Sequence, residues 1–541
     1  MNIFKFSFLF IVLLLGVSAC TDLEENLIGE VTNDITVDGV TVVDVGGAAP
    51  VSSALNAAYG SLRGAGTANH GGYYSVQEIT TDEMCIAAKG GDWFDGGILI
   101  ELHQHTYGPT HAFVNGTWGQ QYGAINTVNE AIAGRNGALD ANQMAQARAL
   151  RAYYYLRLMD LYGNVKVITV PGQDAPQSSR AEVFAFVESE LLAALGVSEI
   201  TSSSDFSGSA LGTASRTPYE INLYGALGIL AKVYLNAEVY SGAARYEEAA
   251  AAAGHIIDSG VYELCGAGCS VANLSKRPGV ANDPDNLEGY AAVFAANNHE
   301  GNSENIWTVE YDAENAGGMN FSQMNLHYSS QFSYNFDAQP WNGYATLEEF
   351  YNSYEDGDAR KAANFLEGPQ LDANGSAVLD FASDDDELQL SYEPSINELA
   401  PNSLREAGAR PAKFSFKQFG RPDMDNDYPL IRLGEMYLVR GEAMARAAGN
   451  WDMALNDVNT IRARAGVSNM ASLDADSFLA ERGREMFQEG ARRTDLIRFG
   501  KYNDAWWEKS VDPSDHVNLF PIPFDQIQAA TGEPLNQNPG Y

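Results

Sequence analysis

Glu481, Glu485 and Glu489 recur at intervals of four, with Arg482, Arg484, Arg492 and Arg493 close by. Two carboxylates flanking a glycosidic bond can act as acid and base in its hydrolysis. Residues three and four apart also share one helix face, where the same side chains form structural ion pairs. His103-x-His105, followed by His111, offers imidazoles for zinc, but the spacing fits no recognised zinc framework. Hydrogen-bonded loop histidines are the expectation. Asp423-x-Asp425-x-Asp427 opens like a calcium loop, yet Tyr428 stands where such loops need glycine and Gly434 where they need glutamate. Asp427 is expected instead to cap a helix, with Pro429 in its first turn. Asp384-Asp385-Asp386-Glu387 and Asp283-Pro-Asp285-Asn286 read as solvated acidic turns, which leaves a structural calcium ion without support. No Gly-x-Ser-x-Gly elbow, phosphate loop or His-Glu-x-x-His motif occurs, although glycosidase carboxylates often have no local signature. The sequence assigns no catalytic residue, no metal ligand and no cofactor.

Binding chemistry is the remaining kind. Sugars present C–H patches that stack on Trp and Tyr faces, and hydroxyls that pair with Asp, Asn, Gln and Arg. Two irregular segments carry that mixture. One is Tyr73-Tyr74 together with Gly91-Asp92-Trp93-Phe94-Asp95-Gly96; the other is Gln339-Pro-Trp341-Asn342-Gly-Tyr344. Trp93 and Trp341, with Asp92 and Asn342 as polar neighbours and Tyr73, Tyr74 and Tyr344 beside them, are the candidate ligand-binding residues. The competing expectation for each aromatic is buried packing.

With 71 acidic against 33 basic residues and a net charge of −38, the chain repels phosphate backbones and anionic lipid, so nucleic-acid binding is excluded as a reading. Residues 8–15 form an apolar run behind Lys5, too short to span a bilayer and suited to a signal peptide over residues 1–19. Val17-Ser18-Ala19-Cys20 matches a lipobox, so Cys20 is the expected lipidation site and residues 20–50 a polar tether. Cys265 and Cys269 lie close enough for a small disulfide, leaving Cys85 as a buried thiol.

Helical periodicity begins near Ser53 and is clearest over 143–162 and 219–240, with a further helix expected after Asp427. Tyr246-x-x-Ala249 and Trp451-x-x-Ala454 each place an aromatic three residues before an alanine at the start of a second helix, the tetratricopeptide arrangement. Stretches 64–117 and 261–426 break the pattern, the second with short β-like runs such as Ile306-Trp307-Thr308-Val309.

Strings in the C-terminal third resemble the SusD/RagB family: Tyr428-Pro-Leu-Ile-Arg-Leu-Gly-Glu, Asn459-Thr-Ile-Arg-Ala-Arg-Ala-Gly466, Glu481-Arg-Gly-Arg-Glu485, Asp495-Leu-Ile-Arg498, Pro521-Ile-Pro523 and Gln537-Asn-Pro-Gly-Tyr541. Ala149-Leu-Arg-Ala-Tyr-Tyr-Tyr and Leu161-Tyr-Gly-Asn-Val agree earlier in the chain. The resemblance implies a mainly α domain over 51–541, with a tetratricopeptide-like hairpin scaffold (51–260 and 427–541) and a loop-rich ligand-binding insert (261–426). It also implies an outward-facing, lipid-anchored outer-membrane protein that binds oligosaccharide and passes it to a SusC-like TonB-dependent transporter, the Glu481 helix being framework. Peptide capture by the same type of complex, a surface glycoside hydrolase and a pure assembly scaffold are the alternatives.

Overall fold

The computed structural model describes residues 34–37, 40–43, 54–213, 218–385 and 387–541. The chain divides into two compact units, Met1–Pro50 and Val51–Tyr541. The signal segment and Cys20 lie outside the described residues. In the first unit Asp34–Val37 and Val40–Val43 pair as an antiparallel hairpin, with Thr36 opposite Thr41. The expected structureless tether therefore contains β structure, built on β-branched residues that favour strands.

The second unit is helical, with small two-stranded ribbons and no barrel among the described residues. The predicted helix over 143–162 runs Ala141–Tyr162, started by a reciprocal capping box between Asp140 and Gln143. Arg180–Leu195 packs against it, capped in the same way by Ser179 and Glu182. The predicted 219–240 helix breaks at Asn236 into Leu223–Leu235 and Ala237–Ser241. Tyr246–Asp258 and Leu433–Ala448 pack together, with Ala249 and Ala454 fully buried at the close approaches. No described helix is long and apolar enough to cross a membrane.

The helix expected to follow Asp427 is a correction. Tyr428–Arg432 is a strand, paired antiparallel with Asn305–Val309, and the helix begins only at Leu433. All five strand residues are buried, a demand that an extended strand covered on both faces meets. Helix Leu223–Leu235 accommodates the pair through Gly228, where a Cβ would lie 2.3 Å from a methyl of Ile431.

Asp427 caps nothing. Together with Asp423 and Asp425 it accepts backbone N–H groups from one facing segment: Asp423 from Gly318 at 2.9 Å, Asp425 from Ala313 at 2.9 Å and Asp427 from Tyr311 at 3.4 Å. The alternating spacing resembling a calcium loop thus pins a neighbouring loop. Asp283 is held by Arg277 and Asp285 by Lys276. The 64–117 stretch also ends earlier than expected, because His111 caps a helix over Ala112–Ile132 by accepting from Val114.

The side chains of Glu481, Glu485 and Glu489 are buried, but the helix Ala475–Met486 ends before Glu489, so only Glu481 and Glu485 share the expected helical face, and most of the cations come from elsewhere in the chain. Arg360 lies 2.8 Å from Glu481, Arg432 lies 2.7 Å from Glu485 and 2.6 Å from Glu489, and Lys413 lies 2.5 Å from Glu489. Arg462 joins Glu481, while Arg464 bridges Glu304 and Glu485. Only Arg484–Glu481 is the short-range pair the spacing suggested. Burial alone would push the Glu485 carboxyl up, but Arg464, Arg432 and Arg360 outweigh it and hold the group well below the usual range. The paired cations hold all three carboxylates below the usual range, which suits framework ion pairs. Cys265 and Cys269 are disulfide-bonded, and Cys85 is a buried free thiol.

Removing Arg432 would take away the one cation shared by Glu304, Glu485 and Glu489, leaving Arg464, Arg360 and Lys413 to hold three buried carboxylates. Arg432→Ala is expected to cost roughly 3–5 kcal/mol in denaturant unfolding, the usual cost of breaking a buried ion pair. Burial raises the Asp427 carboxyl to about 8. A group whose folded pKa is raised stabilises the fold below its unfolded pKa and loses that contribution as pH rises through the folded value. The melting temperature should therefore carry a component that declines between about pH 4 and 8, and Asp427→Asn should abolish that component.

Candidate functional site

The ribbon Met84–Ile86/Tyr344–Thr346 ties the first irregular stretch to the second, with Ile86 opposite Tyr344 and Cys85 opposite Ala345. The two aromatic segments leave and enter this ribbon, and so they meet. A turn closed by Lys89 N–H to Asp92 O at 2.8 Å delivers Trp93. Its indole N–H donates to the Trp341 carbonyl at 2.5 Å. Gly343 makes the approach feasible, since a Cβ there would stand 2.6 Å from the Trp93 ring and 2.8 Å from the Met324 carbonyl.

The two tryptophans play different parts. Trp93 is buried, whereas Trp341 is 38% exposed and Phe94 46% exposed. His70 sits behind them with edge-on contacts to Trp93, Phe113, Trp341 and Tyr344 at centroid distances of 5.0–6.5 Å. Burial lowers its pKa to about 4 against the pull of Asp95, so the ring is neutral at physiological pH. Its Nδ1 shares a 3.0 Å hydrogen bond with the Tyr344 hydroxyl, which also pairs with Ser75 at 2.7 Å. Asp92 is exposed and accepts from the Tyr328 hydroxyl. The result is a neutral aromatic surface rimmed by carboxylate, able to stack an uncharged ring and accept hydrogen bonds from its hydroxyls.

Trp93 and Asn342 both adopt left-handed backbone, at φ of 60° and 59°. Such conformations cost on the order of 1–3 kcal/mol each for non-glycine residues and concentrate at functional sites. Asn342 is fully buried beside Tyr328, so it supports the surface from beneath. Tyr74 is also buried, its ring tilted against Phe321 at 4.6 Å and 6.0 Å from Tyr344. Tyr73 turns elsewhere, under the Arg157 guanidinium at 4.0 Å, and lines a small internal polar cavity with Asp160 and Arg498. His70, Phe113 and Tyr328 fall outside the two expected segments, although Tyr328 stands in an aromatic, polar run of its own, His327-Tyr-Ser-Ser-Gln-Phe332, which carried a usable signal. The suspected zinc histidines bond separately: His103 to the Trp507 carbonyl, His105 to Asp512 and Thr80, His111 to the Ile98 carbonyl. Among the described residues no three His, Cys, Asp or Glu side chains converge as a metal site.

Residues 406–541 match the model of the SusD family. Over longer stretches the chain is 24% identical to the starch-binding protein SusD of Bacteroides thetaiotaomicron, covering 86% of this chain and 85% of that protein. It is likewise 24% identical to SusD-like protein P2 of Formosa agariphila, covering 99% and 100%. The chain resembles SusD-family proteins over most of its length. The fold agrees: surface glycan-binding protein A from Bacteroides thetaiotaomicron, solved in complex with laminarihexaose, superposes with a TM-score of 0.67 at 21% identity, over 90% of this chain and 98% of that one. A laminarin-binding SusD-like protein superposes with a TM-score of 0.65 at 21% identity, over 90% and 98%. The chain thus shares the helical fold of those structures while differing from them at most positions.

If the Trp93–Trp341 contact depends on Gly343, then Gly343→Ala must displace the Trp93 indole. Near-ultraviolet circular dichroism and tryptophan fluorescence should change while the melting temperature falls by only a few degrees, roughly the effect of 1–2 kcal/mol in a large domain.

Proposed function

We propose that this protein captures oligosaccharide at the outer surface of a bacterial cell and passes it to a SusC-like TonB-dependent transporter, performing no bond chemistry itself. Trp341 carries the reading. A large indole left 38% exposed beside a rigid backing of Trp93 and His70 is an open stacking face, and the carboxylate of Asp92 at its rim suits sugar hydroxyls. Lipidation at Cys20 would hold the protein at the membrane, with two or more acyl chains giving stable anchorage. The helical hairpins, read as tetratricopeptide-like, would face the transporter and leave the aromatic loops turned to the medium. Family relatives with starch and laminarin in their names support a glycan as cargo.

Titration calorimetry of the full-length chain, solubilised in a detergent without a sugar headgroup, tests this with maltohexaose and laminarihexaose. Saturable binding is expected for a hexasaccharide, with no product on chromatography and little response to salt because the ligand is neutral. Trp341→Ala should weaken binding at least tenfold, about 1.4 kcal/mol. Binding of peptides in place of glycans, or release of shorter sugars, would contradict the proposal.

A further inference from the structure

The ribbon that carries the aromatic surface has a second face. Side chains alternate along a strand, so while Ile86 and Tyr344 belong to the main core, Cys85 and Ala345 face the other way, onto Trp506 and Trp507. There the structure has an open cavity of 530 Å³, within the range of small-molecule sites. Its walls include both indoles, Asp82, Glu349 and Arg492.

The wall is built and braced. The His103 and His105 pair holds the Trp506–Trp507 turn, His103 bonding the Trp507 carbonyl at 2.8 Å and His105 meeting the Trp506 ring edge-on at 5.1 Å. The Lys509 ammonium lies 4.1 Å from the centroid of the Trp506 ring. Arg492 grips Asp82 through two bonds of 2.7 and 2.8 Å. Carboxylate acceptors and a guanidinium donor thus stand side by side, complementary to adjacent hydroxyls on a ring that stacks against indole. Two carboxylates against one cation at this wall, on a chain of net charge −38, disfavour an anionic ligand.

We infer that this cavity is a second saccharide-binding site, taking a short neutral segment of a glycan. Lying on the opposite face of the same ribbon, it would let one chain hold a polysaccharide at two points, with the gain in avidity that linked sites confer.

The test is stoichiometry, read by calorimetry on the full-length chain in the same detergent, with maltohexaose and laminarihexaose as probes. Wild type should bind two saccharides per chain. Trp341→Ala and Trp507→Ala should each bind one, and the double variant none. Ala505→Phe, at an exposed wall position whose change removes no contact of the fold, should fill the cavity and also bind one. A single site in wild type, lost in Trp341→Ala and untouched by Trp507→Ala and Ala505→Phe, overturns the second site and leaves the first. Binding lost only in Trp507→Ala and Ala505→Phe upholds the second site and overturns the first. If neither probe binds, both fall.

Discussion

Burying the carboxylates of Glu481 and Glu485 on one helix, and of Glu489 in the turn that follows it, is tolerable only if cations reach them, because an unpaired buried ion costs several kcal/mol. No single element supplies those cations. They come from the strand end at Arg432, the insert at Arg360 and Lys413, and the helix Leu455–Arg464 at Arg462 and Arg464. Each element is therefore fixed relative to the others by electrostatics in a medium that screens poorly. The consequence reaches the aromatic surface. Lys413 lies three residues beyond Arg410, which donates to the Tyr344 carbonyl, and Ala409 accepts from Thr346. The ion network thus sets the ribbon, and the ribbon sets Trp341.

This arrangement explains how irregular loops carry an ordered aromatic surface. The stretches 64–117 and 261–426 have few regular elements, yet they are stitched by short ribbons, by the aspartate series against residues 311–318, and by edge-on aromatic contacts around His70. Left-handed backbone at Trp93 and Asn342 persists because the surroundings over-determine it. A face held this way would lose little conformational entropy in binding the proposed saccharide.

Part of the helical framework was legible in the sequence, because apolar spacing acts locally: the 143–162 periodicity matches Ala141–Tyr162, whereas the helix Arg180–Leu195, with its capping box of Ser179 and Glu182, was not anticipated. The meeting of the 91–96 and 339–344 segments was suggested by shared composition, but the ribbon that joins them is a long-range pairing no local signal reveals. The strand at Tyr428–Arg432 was misread because Asp427 and Pro429 look like a helix start; the deciding fact was burial on both faces beside Gly228, which is tertiary. The ion partners of Glu481, Glu485 and Glu489 were hidden for the same reason, since Arg360 and Arg432 lie far off in sequence. Which aromatics would be open and which buried was equally illegible: Tyr74, Tyr344 and Trp341 look alike in sequence, and only packing distinguishes them.

The most direct measurement is a crystal structure of the chain grown with whichever hexasaccharide binds in solution. A sugar ring stacked on the Trp341 indole, with a hydroxyl within hydrogen-bond distance of Asp92, is the expected result. A saccharide lodged away from the ribbon, with the Trp341 face bare, would contradict it.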